Sequence, residues 1–385
     1  MPGFSSMDDF ISEVTVNGQF FRADWNKSFL PTTAAVAGEW HCLFRGAGNP
    51  GADAIANTGS NLTWQQLTDQ TANATGIQHG GNVSPNYKNI VNASAFTAAA
   101  TTVPAVMMLV DLLGFYRVTT TTVITSQALT NTLVAFSTFT ADAGTDLLTH
   151  TNINLLNLSQ VQVSTTTTLP AGLAAATNYF VIKVTDTTCR LATSYANAVA
   201  NTFIDITTAG SGVQTINTLL PRYTDGAGVQ AFMWANNAVP LGAGVPNLSL
   251  ASYTNSVATA ARATPAVLPI GKTAANNGVV LYSGTGSGKF GPFMPQQGGD
   301  RGIRSIENVQ LSATYTSGEF SVGLCRPLFT LPITTLGVAA ERDFMNQLPS
   351  LPRVYDGACL VWLMYSAAAT PINSSLYGHI DFANG

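Results

Sequence analysis

The sequence predicts a mainly β protein: a β-sandwich or jelly-roll-like host domain, an inserted small β-sandwich module and a few short helices. Three observations support this fold class. Long stretches are rich in Thr and other β-branched residues, which favour strands. Short alternating segments recur at strand length. The 34 Gly and 18 Pro residues separate these segments and mark turns between them.

The chain has 385 residues, of which 46% are hydrophobic and only 9% are charged. An ordinary soluble domain carries about 25% charged residues. Because surface charge opposes association, so little charge indicates a protein that lies among neighbours in an assembly. The formal net charge of -4 argues against a basic nucleic-acid binder, and no apolar run approaches the length of a membrane helix. The N-terminus carries no secretory-signal pattern.

The first part of the chain mixes short elements with turns. Residues 8–16 open either a helix or a strand, and residues 49–53 form a Gly and Pro turn. Residues 63–67 predict one or two helical turns. The most apolar stretch, residues 95–116, is divided by Pro104, so we expect no single long helix there.

The middle of the chain has a β composition. Residues 118–141 and 147–182 carry no charge, and turn signals stand at 169–172 and 209–212. This spacing predicts a small sandwich or barrel. The strands expected within it are residues 178–184, 189–193 and 203–207.

The last third returns to a mixed composition after the turn at 221–226. Residues 337–347 are predicted to form a short helix, whose exposed side carries Glu341, Arg342 and Asp343. Two strand pairs are expected around this helix. They are residues 303–315 with 319–325, and residues 358–365 with 376–382.

The simplest domain organisation is an insertion. Residues 1–132 plus 218–385 form the host domain, and residues 133–217 form the inserted module. Whole domains insert most readily at exposed loop tips, so we expect the module on the host surface.

No catalytic, cofactor-binding or metal-binding residue is predicted. The Gly-rich segment from Gly284 to Lys289 has the wrong spacing for a phosphate-binding loop. The histidines are isolated in sequence and are expected to be structural or solvent-exposed. They are His41, His79, His150 and His379.

Acidic and basic residues are both sparse, with 20 Asp and Glu against 16 Lys and Arg. The only near pairs of acids are Asp8 with Asp9, Asp142 with Asp146, and Glu341 with Asp343; an Asp142–Asp146 calcium site lacks supporting acids. A loose cluster of basic residues in the region 222–304 is interpreted as forming inter-subunit salt bridges or a solvated face. It comprises Arg222, Arg262, Lys272, Lys289, Arg301 and Arg304, against Asp225 and Asp300.

The four cysteines show neither metal-binding nor redox spacing. We expect free buried thiols at Cys42, Cys189, Cys325 and Cys359. A disulfide between Cys325 and Cys359 is the alternative.

The region 136–216 resembles a small β module that recurs in structural proteins of tailed bacteriophages. In that module a Leu-Pro-x-Gly-Leu turn precedes a Tyr-rich strand, and an Ala-Gly-Ser-Gly turn closes the unit. The segments that carry the resemblance are Thr138-Phe-Thr-Ala-Asp-Ala-Gly-Thr-Asp146, Leu169-Pro-Ala-Gly-Leu173, Asn178-Tyr-Phe-Val-Ile182, Cys189-Arg-Leu-Ala-Thr193, Ile204-Asp-Ile206 and Ala209-Gly-Ser-Gly212. Phe180 stands where the module usually has Tyr. The flanking parts also look like phage head-associated proteins, most distinctively at 221–226 and 351–357.

The resemblance implies a virion structural protein without enzymatic activity or cofactor, assembled in the cytoplasm of a bacterial host. No long charged spine helix of the usual coat fold is visible, which favours a decoration or cement subunit over the main coat protein. The implied partners are the chain itself, as a trimer by analogy, and the major capsid protein or neighbouring shell subunits; no membrane or specific nucleic acid is implied. A tail or fibre protein that binds a host receptor is the alternative, and a depolymerase is a third hypothesis.

Overall fold

The computed structural model describes residues 4–28, 37–51, 61–68, 76–98, 103–119, 126–236, 241–265, 278–281, 291–347, 351–367 and 374–385. The helices in these ranges are α1 (Met7–Thr15), α2 (Tyr195–Val199) and α3 (Phe344–Gln347), with one 3-10 turn (Leu43–Arg45). The strands are β1 (Phe20–Ser28), β2 (Glu39–Cys42), β3 (Gly48–Asn49), β4 (Asn61–Gln66), β5 (Lys88–Thr97), β6 (Ala105–Thr119), β7 (Gln127–Ala128), β8 (Val134–Asp142), β9 (Leu147–His150), β10 (Gln160–Thr165), β11 (Tyr179–Lys183), β12 (Thr188–Ala192), β13 (Gln214–Thr218), β14 (Gln230–Ala235), β15 (Leu248–Asn255), β16 (Ile303–Leu311), β17 (Glu319–Ile333), β18 (Ala340–Asp343), β19 (Arg353–Val354), β20 (Leu360–Ser366) and β21 (Ser375–Asn384).

Two six-stranded antiparallel sheets form a sandwich. The first sheet has the order β18-β5-β21-β1-β3, with β19 also on β5. The second has the order β14-β17-β6-β20-β2, with β4 also on β6. Their inner faces share one hydrophobic core, in which Trp25 of the first sheet and Trp362 of the second lie 5.2 Å apart between ring centroids. A third sheet, β15-β16-β7, contributes to the same core.

Strands β8 to β13 form a closed six-stranded barrel with the order β10-β11-β12-β9-β8-β13. The barrel encloses its own apolar core, which includes Val161, Val181, Leu191 and Ile216. The first and last strands pair with each other, and Val134 lies opposite Thr218. The chain therefore leaves the sandwich and returns to it at one point.

These observations confirm the mainly β fold class with few short helices. Of the two forms that the sequence left open for the middle region, the strands adopt the barrel rather than the sandwich. The division into residues 1–132 plus 218–385 and residues 133–217 stays a prediction about independent folding. The segment at 8–16 resolves as helix α1, because Ser6 caps its N-terminus by accepting a hydrogen bond from the Asp9 amide.

Two helix predictions were wrong because strand pairing overrides local propensity. Residues 63–67 belong largely to strand β4, which pairs with β6 and buries Trp64 against Tyr116. Residues 337–347 form strand β18 followed by only one helical turn, because β18 pairs with the edge of β5. Residues 203–207 form no strand, although the Ile204 amide donates to the carbonyl of Leu191.

The predicted strand pairs were also wrong, although the strands themselves exist. Strand β16 pairs with β15 and β7, whereas β17 pairs with β14 and β6. Strand β20 lies in the second sheet and β21 in the first. The two strands of each predicted pair therefore belong to different sheets instead of forming a hairpin.

Candidate functional site

The point where the barrel joins the sandwich is built on a buried ion pair. Arg222, four residues after β13, donates from Nε and Nη2 to both carboxylate oxygens of Asp111 at 2.8 and 2.7 Å. Both side chains are fully enclosed, with 1% and 0% exposed. Arg222 also donates to the carbonyls of Leu67 and Leu112. Because Nη1 and Nη2 also find backbone acceptors, the bidentate pair can persist without water.

Asp111 lies in the apolar strand β6, at the point where the strand paired with one edge of β6 changes from β20 to β4. On one edge of β6, strand β20 pairs up to Asp111, and β4 pairs beyond Gly114. The carboxylate fills the gap by accepting a hydrogen bond from the Cys359 amide at 3.0 Å. The ion pair therefore fixes the returning chain to the seam between two strands.

The two most distinctive runs outside the barrel, 221–226 and 351–357, meet at this junction. Tyr223 and Tyr355 pack edge to face with their centroids 4.7 Å apart. The Arg353 guanidinium lies 4.0 Å from the Tyr87 ring centroid and 4.3 Å from that of Tyr355. Such stacking of a guanidinium on aromatic rings holds Arg353 in a fixed orientation.

Polar contacts connect this cluster to the barrel. Arg353 donates to Oδ1 of Asn154 at 3.1 Å, and the Tyr87 hydroxyl donates to the Asp186 carboxylate at 2.8 Å. Hydrogen bonds from Lys183 and Tyr87 lower the pKa of Asp186, although its small degree of burial opposes them. These side-chain contacts therefore hold the barrel against the sandwich, in addition to its two covalent connections.

A cavity of about 300 Å³ lies beside the same junction. The barrel, the connection after β13 and strands β15 and β16 supply its walls. Its polar lining residues are Asn131, Gln160, Gln162, Asn178, Thr224, Thr254, Arg304, Ser305 and Glu307. Its apolar lining residues are Leu133, Val161, Leu219 and Leu220. We call this space the junction cavity.

Arg304 is the most buried charge of the junction cavity, with 4% of its surface exposed. Its Nε and Nη2 donate to the carbonyl of Ser256 at 3.0 and 2.7 Å, and Nη2 donates to the carbonyl of Leu158 at 2.6 Å. Burial lowers the pKa of Arg304 to about 10, although the charge of Asp225 opposes that shift. Arg304 thus links the barrel, through Leu158, to the third sheet.

Glu307 occupies another part of the junction-cavity wall. Its Oε1 accepts hydrogen bonds from Thr254, at 3.0 Å, and from Ser305. Its charge adds to the effect of burial, which raises the pKa of Tyr116 far above its usual range. The Tyr116 hydroxyl donates to Asn131, another residue of the cavity wall. The cavity therefore combines a cation, an anion and several amides in one space.

The outer face of the first sheet places a hydroxyl, an imidazole and a carboxylate in line. Ser94 Oγ and His379 Nδ1 lie 2.8 Å apart, and His379 Nε2 lies 3.8 Å from Asp381 Oδ2. Arg22 binds both oxygens of Asp381 at 2.7 and 2.8 Å. Because 3.8 Å exceeds hydrogen-bond length and Arg22 holds the carboxylate, this geometry does not activate Ser94 as a nucleophile.

The other histidines lie apart from the junction cavity. His41 and His150 are buried, and burial lowers the pKa of both, that of His41 to about 3. His79 is buried with Nδ1 at 3.0 Å from Lys88 Nζ. All four cysteines are free and buried, so the expected thiols are confirmed and the Cys325–Cys359 disulfide is not formed.

The acids that lie close together in the sequence accept hydrogen bonds from nearby backbone amides. Asp142 accepts hydrogen bonds from the Gly144 amide and the Thr145 hydroxyl, whereas Asp146 accepts one from the Ile206 amide. Within the described ranges, no group of three His, Cys, Asp or Glu side chains is placed to hold a metal ion. Asp343 accepts hydrogen bonds from the first turn of α3.

The basic group does not form one solvated face. Arg222 and Arg304 are buried within the chain, and Arg262 pairs with Asp300 at 3.0 Å. Lys272, Lys289 and the Gly284 loop lie outside the described residues. The sequence pattern did not distinguish Arg222 and Arg304 from exposed arginines, because their partners come from distant parts of the chain.

No protein-family model matches the chain, and no curated protein matches it at a significant level. Among the described helices, none is both long and apolar enough to span a membrane.

Proposed function

We propose that the chain is a non-catalytic structural subunit of a bacteriophage virion that decorates or stabilises the head shell. The observation that carries this proposal is the attachment of the barrel. Its first and last strands are paired neighbours, and Arg222 anchors the returning chain to Asp111 in the sandwich core. This arrangement suits a module held at a defined position on the surface of a shell subunit.

Exposed apolar side chains on the sandwich support contact with neighbouring subunits. Phe96 and Tyr377 stack on the outer face of the first sheet with centroids 5.5 Å apart, and both are partly exposed. Leu336 and Val338 are exposed on the loop whose Gly337 amide bonds to the carbonyl of Thr97, next to Phe96. Apolar groups clustered in this way are typical of interaction surfaces.

The partners proposed are further copies of the chain and the major capsid protein or neighbouring shell subunits. The low charge fits this environment, since most of the surface of a shell subunit is covered by neighbours. The location proposed is the virion.

The test is the copy number of the chain per purified virion, measured by quantitative mass spectrometry against the major coat protein. We expect hundreds of copies, equal to the coat protein or a simple fraction of it. A handful of copies would replace the proposal with a tail or fibre role, in which the barrel binds a host receptor. Absence from the particle would overturn the virion proposal altogether.

A further inference from the structure

The outer face of the first sheet carries an open depression beside its stacked aromatic pair. The depression has a volume of about 340 Å³. Its borders include Asp24 and Asn26 of β1, Asn49 of β3, Phe96 of β5 and Tyr377 of β21. All five residues are exposed to solvent. A partner molecule can therefore reach their side chains directly.

Strand register sets the order of the side chains around this depression. Asn26 lies opposite Tyr377, and Tyr377 lies opposite Phe96. Asp24 belongs to the next row, opposite His379. Directly opposite residues of antiparallel strands point to the same face of the sheet. Tyr377 therefore stands between Phe96 and Asn26, so Phe96 covers one side of its ring and the depression borders the other.

The side-chain carboxylate of Asp24 is open to a partner. Within the described ranges, its oxygens accept no hydrogen bond and form no ion pair. Asn49 Nδ2 donates to the Asp24 carbonyl at 3.2 Å, and the Asn49 amide donates to Asn26 Oδ1 at 2.6 Å, so the wall beside the carboxylate is fixed. Arg22 affects Asp24 through charge alone, because both oxygens of Asp381 hold its guanidinium at 2.7 and 2.8 Å.

The outer face as a whole is negatively charged. Among the described residues, its register positions carry the carboxylates of Asp24, Glu341, Asp343 and Asp381 against the single guanidinium of Arg22. An anionic polymer would be repelled by this face. A second copy that docked through the same face would bring like charges together, at a similar cost. Charge complementarity therefore favours a cationic partner.

Arginine matches an aromatic ring beside a carboxylate better than lysine does. Its planar guanidinium stacks on the ring and donates two hydrogen bonds to the carboxylate at once. The chain already uses this stacking internally, where the Arg353 guanidinium lies 4.3 Å from the Tyr355 ring centroid. The exposed side chains of Leu336 and Val338 extend the apolar surface beyond Phe96. Apolar residues that flank the arginine would find contacts there.

We propose that this depression binds an arginine side chain of a neighbouring subunit, whose guanidinium stacks on Tyr377 and pairs with Asp24. We call it the arginine slot, formed by Asp24, Asn26, Asn49, Phe96 and Tyr377. The inference rests on the proposed function for the identity of the partner, which is a neighbouring shell subunit. It adds the chemistry by which that partner is recognised. The contact joins two different surfaces, the slot on one protein and the arginine on the other.

The first test is saturation-transfer NMR of the full chain with acetylated, amidated Gly-X-Gly peptides. The four probes carry arginine, lysine, citrulline or glutamate at X; citrulline has the planar shape of arginine without its charge. We expect the arginine peptide to bind at least about fivefold more tightly than the citrulline and glutamate peptides, with lysine between them. Raising the salt concentration from about 0.05 to 0.5 M should weaken arginine binding. Equal binding of the arginine and citrulline peptides would overturn the proposal.

Surface variants then assign the two contacts. Asp24→Asn and Tyr377→Ala should each weaken binding of the arginine peptide about 3- to 10-fold, because each removes one of the two contacts. Tyr377→Phe retains the ring and should stay within about twofold of the wild type. Asp205→Asn, at an exposed aspartate of the barrel, is the matched control and should bind normally. Unchanged affinity in both Asp24→Asn and Tyr377→Ala would refute the slot.

Two measurements test other occupants of the slot. Binding of the neutral trisaccharide maltotriose more tightly than the arginine peptide would overturn the proposal and assign the aromatic pair to a glycan. Light scattering reports the second possibility. A dimer of the wild-type chain that is lost in Tyr377→Ala would overturn the proposal in favour of a second copy. We expect neither result.

Copy number per virion separates this inference from the proposed function. We expect Asp24→Asn and Tyr377→Ala to lower the copy number at least about twofold relative to Asp205→Asn, because both remove a central contact of the interface. If the wild-type chain is abundant and both variants are incorporated fully, this inference fails and the proposed function stands. If the wild-type chain is absent from the particle, the proposed function and the identity of the partner fail. The peptide titration then still decides whether the slot binds arginine.

Discussion

The barrel and the sandwich differ in whether they bury charged side chains. The barrel core is apolar, and the Asp, Glu, Lys and Arg side chains of its strands and loops all stay at least partly exposed. The sandwich is also poor in charged residues, but it buries several of them. They include Lys27, Glu39, Arg45, Lys88, Asp111, Arg222 and Asp381. The barrel therefore depends on shape and apolar volume, whereas the sandwich also depends on individual buried charges that cannot be replaced singly.

The largest change that tests this contrast is removal of the barrel. Residues 134–215 are deleted and the ends joined by a short Gly-Ser linker. We expect the sandwich to stay folded, because the partners of Arg222, which are Asp111, Leu67 and Leu112, all lie outside the deleted segment. Circular dichroism and a cooperative unfolding transition check this outcome. An unfolded product would show that the two regions form one folding unit.

Among point mutations, Arg222→Met should have the largest effect. It leaves the Asp111 carboxylate buried without its cation, at a cost of about 3–5 kcal/mol in the free energy of unfolding. Denaturant titration measures this cost, and Arg301→Met, at an exposed arginine, is the control with an expected change within about 0.5 kcal/mol. The double variant Arg222→Met with Asp111→Leu should recover part of the loss, because no unpaired charge remains. Equal effects at Arg222 and Arg301 would contradict the role of the buried pair.

A pH titration examines the buried imidazole of the second sheet. Burial lowers the pKa of His41 to about 3, even though Glu39 Oε2 lies 3.5 Å from its Nε2. As the pH falls below about 6.5, the unfolded chain binds a proton that the folded chain does not, so stability decreases. The slope is about 1.4 kcal/mol per pH unit between about pH 6.5 and 3.

The effect is measured between pH 7 and 5, where few carboxylates titrate. His41→Asn should reduce the dependence of the unfolding free energy on pH and leave the part due to His150, whose pKa burial also lowers. His379→Asn, at a half-buried histidine, is the control. A slope that is undiminished in His41→Asn would assign the effect to another group.

The smallest effect is expected at the contact between the two regions. Tyr87→Phe removes the hydroxyl that donates to Asp186, but it retains the ring that packs on Arg353. We expect a loss of about 0.5–1.5 kcal/mol, and faster hydrogen exchange in the loop around Asp186. Hydrogen exchange measured by mass spectrometry locates the change. Uniformly faster exchange across the whole barrel would mean that this contact stabilises the barrel globally, against the contrast drawn above.

Much of the fold could be predicted from local pattern. Pro104 separates β5 from β6, and the alternation at 178–184 marks β11. Strand partners could not be predicted, because periodicity identifies a buried face but not the strand beside it. The segments at 303–311 and 319–333 are neighbours in sequence and yet belong to different sheets.

The junction cavity was beyond sequence analysis for a related reason. Arg304 and Glu307 lie three residues apart on one strand, but Gln160, Asn178 and Leu220 come from distant segments. Asp111 stood out in the sequence only as an interruption of an apolar run. Its importance follows from Arg222, which lies 111 residues away along the chain and contacts it through the fold.

The burial of the four thiols has a practical consequence for labelling. Burial raises the pKa of Cys189 to about 12 and that of Cys325 well above its usual range, so neither thiol is ionised near neutral pH. Cys42 and Cys359 are equally enclosed. Since the thiolate is the reactive form, a maleimide dye should leave the native protein unmodified. A single cysteine introduced at an exposed barrel position, such as Thr166, would then carry a fluorophore without removal of the native cysteines.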